Sequence, residues 1–119
     1  MDKMIFVAVI KKDFLSKIGF ENCASDINIF RSKGLIAHLL KRKHYTAAKY
    51  LDFIPEILNS PDYAGTSDGQ IEFVKCFKDN IFLSIKLDVA KNTYYVATLF
   101  DIKQSKIDSY CKLGRLKKI

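Results

Sequence analysis

Proline and glycine are scarce in this chain, two and five among 119 residues, and it has no low-complexity segment of the kind that keeps a polymer unfolded. Hydrophobic residues make up 49%, with nine Phe and six Tyr. That excludes a disordered polymer and predicts one domain over residues 1–119 with a single core, since domains most often run about 100–150 residues. Long apolar runs are missing too. Met4–Ile10, the one uninterrupted apolar stretch near the start, is far shorter than the roughly 20 residues that span a bilayer. It also lacks the basic lead-in and small-residue cleavage site of a secretory leader. It reads as a first strand, and the expectation is a cytoplasmic protein with no membrane partner.

Cysteine is sparse, odd in number and irregularly spaced: Cys23, Cys76 and Cys111. Such a set argues against a disulfide framework and a zinc arrangement, and predicts a buried or half-buried thiol at each place. Also absent are a glycine-rich phosphate loop, His-Glu-x-x-His, Gly-x-Ser-x-Gly and any Asp-x-Asp cluster. The familiar routes to nucleotide hydrolysis, zinc proteolysis and acyl transfer are therefore not visible. Acidic residues are scattered over the middle of the chain, so neither a metal site nor a cofactor is expected.

Acid is missing altogether from Arg31 to Lys49, a run that holds six Lys/Arg and both histidines, His38 and His44. A second basic block, Lys103–Ile119, has six Lys/Arg against the single acid Asp108. The formal net charge of +7 is thus local, and local basicity of this kind suits phosphate contact.

A short helix or turn over Asp13–Ile18, a break at Gly19 and a strand at Ile27–Phe30 follow the first strand, together forming an N-terminal extension over residues 1–30. Leu35, Ile36, Leu39 and Leu40, then Ala47, Ala48, Leu51, Ile54 and Leu58, recur at helical spacing. They predict two helices jointed near His44–Thr46, with a kink or restart at Pro55. Gly65–Gly69 reads as a loop. Ile71–Phe77, Ile81–Asp88 and Tyr94–Phe100 then read as antiparallel strands with short connections. In the second of these, Phe82, Ser84, Lys86 and Asp88 point away from the helix-packed side. Lys103–Tyr110 reads as a closing helix followed by a basic tail. The fold class expected is α+β, with N-terminal helices packed on one face of a roughly four-stranded antiparallel sheet, and the site on the sheet's polar side.

A cationic surface with His, Lys, Arg, Tyr and Thr can cleave RNA without a metal, because the substrate supplies its own 2′-hydroxyl as nucleophile. The protein then needs a base, an acid and cations for the phosphorus centre. His38 and His44 suit the first two roles, although a helical His beside Leu39 and Leu40 equally suits a boundary position bonding a carbonyl. Six positions apart, the two lie about 120° around one helix and roughly 9 Å along it. They can share a site only if the helix breaks between them. The Tyr94-Tyr95 pair reads as strand packing rather than base stacking.

Gly34-Leu-Ile-Ala-His38 through His44-Tyr45, with Tyr50 to Tyr63 after it, resembles the phage and mobile-element nucleases of the barnase/EndoU/colicin/RelE-like (BECR-fold) group. The likeness continues through Glu72–Lys75, Ile85–Asp88, Tyr95–Thr98 and Gly114–Lys117, and covers about residues 27–119. It implies a nuclease core over 31–119 and metal-independent RNA cleavage to a 2′,3′-cyclic phosphate by a ribonuclease of toxin or effector type. Carried over by residue, its polar positions fall on His38, Lys43 or His44, Lys75, Lys86, Thr98 and Arg115. Together with the basic runs, the site expected has His38, His44, Lys86, Thr98 and Arg115 in catalytic roles and Lys41, Arg42, Lys43, Lys75 and Lys117 as substrate contacts. The partners implied are RNA, tRNA included, and an acidic immunity or antitoxin protein. The chain departs from the pattern at Leu113 and Tyr110, where the group carries a small hydroxyl and a basic residue. Those departures imply an alternative: a non-catalytic RNA-binding or protein-interaction module.

Overall fold

The computed structural model describes residues 4–20, 25–88 and 93–119. Strands β1 (Met4–Ile10) and β2 (Ile27–Ser32) flank helix α1 (Lys12–Lys17) in sequence. Helices α2 (Leu35–Lys41) and α3 (Tyr45–Ala48), a 3-10 turn at Leu51–Phe53 and helix α4 (Ile54–Asn59) follow. Next come β3 (Tyr63–Ser67), β4 (Gln70–Cys76), β5 (Asn80–Asp88) and β6 (Thr93–Asp101), an antiparallel meander. Helix α5 (Gln104–Lys112) and β7 (Leu116–Lys118) close the chain.

All seven strands share one sheet in the order β1-β2-β6-β5-β4-β3-β7, with β2 parallel to β6 and every other pairing antiparallel. This corrects the expected four-stranded antiparallel sheet with helices on one face. β1 and β2 are not an appendage: Ile27 and Ile29 bury in the same core as Ile85 and Val96. The parallel join, Ile29 to Tyr94 and Phe30 to Tyr95, is a long-range pairing that local periodicity cannot announce.

At the other edge, the stretch expected to be a loop is mostly strand. Only Asp68 and Gly69 turn, both at positive φ (50° and 78°), as a tight two-residue hairpin requires. Gly65 belongs to β3 for a different reason. A Cβ there would stand 1.8 Å from the Arg115 carbonyl oxygen, so only a bare backbone lets β7 pack in. The expected basic tail is this edge strand, and Lys117 and Lys118 give it the charge that keeps an open edge from pairing with other chains.

Helices α1 to α4 cover one face, burying Leu15, Leu39, Ile54 and Ile57 against Phe73, Leu83 and Leu99. Pro55 enters the first turn of α4, where its missing N–H has no partner to lose. α5 lies on the opposite face, where Ile107 packs with Val74, Phe82 and Leu116. Helices on both faces replace the expected single layer, because β4 and β5 present apolar side chains to both sides at Phe73-Val74 and Ile81–Leu83. Cys23 lies outside the described residues, and Cys111 is half-buried. Cys76 is exposed, against expectation. Desolvation around its sulfur, reinforced by the Asp62 carboxylate, holds its thiol pKa above the ordinary value.

Candidate active site

Two helix ends of the same construction shape the site. α2 stops at Lys41, and Lys43 takes a left-handed backbone with φ 62°. The Lys43 N–H donates to the Leu40 carbonyl at 3.1 Å, and the His44 N–H reaches back to the Leu39 carbonyl at 2.8 Å. α5 ends likewise: Gly114 has φ 77°, its N–H donates to Cys111 at 3.1 Å, and the Arg115 N–H donates to the Tyr110 carbonyl at 2.9 Å. Both are Schellman caps, which satisfy the last carbonyls and turn the chain sharply. The first breaks the helix between His38 and His44, and the second turns the chain so that the Arg115 side chain lies over the sheet.

Lysine at positive φ carries a Cβ strain of about 1 kcal/mol that glycine avoids. Lys43→Gly is therefore expected to match or raise the melting temperature, and Lys43→Ile to lower stability by about 1–2 kcal/mol. Thermal unfolding of the three forms measures this, and equal melting temperatures for the Gly and Ile variants would remove the strain argument.

On the face that carries α5, strand register lays Glu72, Ser84 and Thr98 in one row and Val74, Phe82 and Phe100 in the next. α5 covers the second row. A cleft of about 330 Å³ adjoins the first. His38, Arg42, His44 and Lys86 bring basic groups to it, Gln70, Ser84 and Thr98 bring amide and hydroxyl groups, and Ala97 completes the wall. No carboxylate is among these lining residues. The His44 ring packs against Phe100 at 5.9 Å between centroids, and Phe100 stacks on Phe82 at 4.6 Å.

β6 is shaped for this cleft. Its register with β5 jumps from Ser84–Thr98 to Ile85–Val96, leaving Ala97 as a bulge. β2 last pairs with β6 at Tyr95. α2 and α3 also pack against β6, and His38 and Arg42 of the α2 end line the cleft together with Ala97 and Thr98. Bulges commonly re-aim side chains beside a site, and here Ala97 and Thr98 both line the wall.

Arg115 stands beside the cleft, engaged with Glu72. Its Nε and Nη2 donate to the two Glu72 oxygens, each at 2.6 Å, and its guanidinium lies over the Tyr110 ring at 4.1 Å. The Glu72 side chain is only 3% exposed and that of Arg115 32%. The hydrogen bonds that Arg115 donates to Glu72 are the largest influence holding the Arg115 pKa above its ordinary value. A bidentate pair of this kind cancels a buried carboxylate that would otherwise repel a phosphate from the neighbouring row.

The geometry thus brings together His38, His44, Arg42, Lys86 and Thr98, and sets Arg115 alongside. Lys41, Lys43 and Lys117 are exposed away from the cleft lining. Lys75 points to the other face, where its Nζ donates to the Ser60 carbonyl at 2.8 Å. Gln70, Ser84 and Glu72 were missed in the sequence. Ser84 was legible in the alternation of β5, and Glu72 as a lone acid inside Ile71–Val74, a place that demands a cationic partner. Among the described residues no three His, Cys, Asp or Glu side chains gather as metal ligands, and no helix is long and apolar enough to cross a membrane.

The family model described as phage-Barnase-EndoU-ColicinE5/D-RelE like nuclease3 matches residues 5–109. The chain belongs to this phage nuclease family. No curated protein and no solved structure matches it. The family match takes in β1 and β2, consistent with their place in the sheet, and it contains every residue lining the cleft. It ends before Gly114 and Arg115, so in this phage nuclease the role of Arg115 rests on its pairing with Glu72 and on the resemblance of the closing residues.

Proposed function

We propose that this phage-family nuclease is an RNA endonuclease that cleaves by attack of the substrate's own 2′-hydroxyl. The observation that carries the reading is the convergence of two imidazoles, two cations and two hydroxyls on one cleft without a lining carboxylate. One neutral histidine takes the 2′-hydroxyl proton as that oxygen bonds to phosphorus. The bond from phosphorus to the 5′-oxygen breaks, and the other histidine, protonated, gives its proton to the leaving oxygen. The products are a 2′,3′-cyclic phosphate and a 5′-hydroxyl.

Lys86 and Arg42 stabilise charge on the non-bridging oxygens, and the Thr98 hydroxyl positions the phosphate. Arg115 serves by neutralising Glu72 and by offering the N–H groups that Glu72 leaves unused. Lys41, Lys43, Lys75 and Lys117 supply a longer-range field that draws in RNA and weakens with salt. An acidic inhibitor protein would bind the same cationic cleft. The chemistry asks for no metal, because the substrate brings the nucleophile and the protein brings the positive charge.

Incubating the purified protein with total RNA in EDTA is expected to yield fragments ending in 2′,3′-cyclic phosphate. Intact RNA, or fragments with 5′-phosphates, would overturn the reading. A second reading, a non-catalytic RNA-binding module, is favoured by the engagement of Arg115 with Glu72 instead of with the cleft. Salt-sensitive binding of RNA with no turnover is its expected signature.

A further inference from the structure

A second cavity, of about 220 Å³, adjoins the cleft and shares His38 and Ala97 with it. Its remaining wall is of another character: Leu35, Val96, Tyr95, Gly34 and Ser32. The Ser32 hydroxyl accepts the Gly34 N–H at 2.9 Å, which fixes the turn into α2. Apart from His38 no titratable group other than the tyrosine lines this space. The cationic cleft and a more apolar cavity thus lie side by side, with His38 in both linings and Tyr95 in the second.

We propose that this side cavity is a nucleobase subsite that takes the base on the 5′ side of the scissile phosphate, so that the substrate is single-stranded RNA. The inference rests on the cleavage reading above and deepens it. In a ribonucleotide the base hangs from C1′, next to the carbon that bears the attacking hydroxyl, and the phosphate follows at C3′. A base seated against Tyr95 places the 2′-hydroxyl at the junction, beside His38, and the phosphate among Arg42, Lys86 and Thr98. His38 is then the general base. His44 lines the cleft but not the side cavity, which leaves it to protonate the departing 5′-oxygen.

The two adjacent tyrosines divide the work. Tyr94 packs edge-on against Phe20 at 6.3 Å and joins the core. Tyr95 pairs across from Lys86 on the site face, half-buried, and lines the cavity. The pair is therefore not strand packing alone. Each base has a π-face that an aromatic ring can hold whatever its identity. A base that is paired and stacked in a duplex cannot enter a side cavity, so duplex RNA is refused. The two spaces together fall in the usual range for a small-molecule site, about 300–1,000 Å³.

Titration with uridine and adenosine 3′-monophosphates against inorganic phosphate tests the subsite without requiring turnover. The nucleotides are expected to bind about tenfold more tightly than phosphate, shifting the amide resonances of Leu35 and Val96, which phosphate alone leaves in place. Tyr95→Phe is expected to keep this advantage and Tyr95→Ala to reduce it to about threefold or less. Should Tyr95→Ala not fold, the resonance map and the Phe variant decide. Equal affinity for nucleotide and phosphate, or nucleotide shifts elsewhere on the protein, would overturn the subsite. On a hairpin RNA, cuts are expected in the loop, and equal cutting of the stem would overturn the single-strand requirement. Nucleotide binding by a protein that cleaves no RNA would instead retain the subsite and sink the cleavage reading, so the two failures are distinguishable.

Discussion

Replacing His38 with alanine is expected to slow RNA cleavage by about 10²–10⁴-fold, the usual contribution of a positioned general acid or base. The side chain is exposed on α2 and none of the buried core depends on it, so the variant is expected to unfold at nearly the wild-type temperature. His44→Ala is expected to lose activity to a similar extent with a small stability cost, because its ring packs against Phe100. The double variant should be little worse than the poorer single one, since groups that act on one transition state are not additive. Initial rates on a fluorogenic oligoribonucleotide measure all three forms. A loss of less than about threefold for both single variants would remove the histidines from the chemistry.

Gly65→Ala is expected to be the most damaging small substitution in the fold, costing about 3 kcal/mol or more where overpacking usually costs 1–3. The added methyl would stand 1.8 Å from the Arg115 carbonyl oxygen, 2.8 Å from its carbon and 3.1 Å from the Leu116 Cα. These are backbone atoms, so no rotamer change relieves the clash. β3 and β7 must separate, and the Arg115–Glu72 pair goes with them. That strands a carboxylate whose side chain is only 3% exposed, a loss that adds to the steric one because an unpaired buried charge is costly. For a chain of this length about 3 kcal/mol corresponds to a fall of roughly 10–15 °C in the melting temperature. Ser67→Ala, in the same strand but half-buried near the hairpin turn, serves as the control and is expected to shift it little. A Gly65→Ala protein that melts with the wild type would mean that β7 does not pack as described.

Much of the candidate site was legible before any fold was known, because it lies in elements of short range. The break that lets His38 and His44 share a cleft falls at Arg42–His44, close to the joint that periodicity predicts. Lys86 is expected from strand alternation and resemblance and Thr98 from resemblance alone, and both line the candidate cleft. Arg115 is the instructive case: the sequence presents it as a bare cation for phosphate, whereas in the fold its first partner is Glu72, 43 residues away. Lys75 shows the opposite failure. It belongs to the same strand as Glu72, yet an odd number of positions separates them, so it emerges on the other face.

Composition and pattern alone determined that this chain is apolar enough to fold, that its positive charge is local, and that strands β1, β4, β5 and β6 and the helix pair around His38 exist. Those features depend on neighbours within about ten residues. Only the tertiary structure decided that the sheet has seven strands, that β2 joins β6 in parallel, and that β7 seals the far edge over Gly65. It also decided that Glu72 takes Arg115 and that an aromatic cavity opens beside His38. Each of these is a contact between distant segments, and its free energy exists only when both partners are already in place. A linear pattern of residues records the partners without recording that they meet.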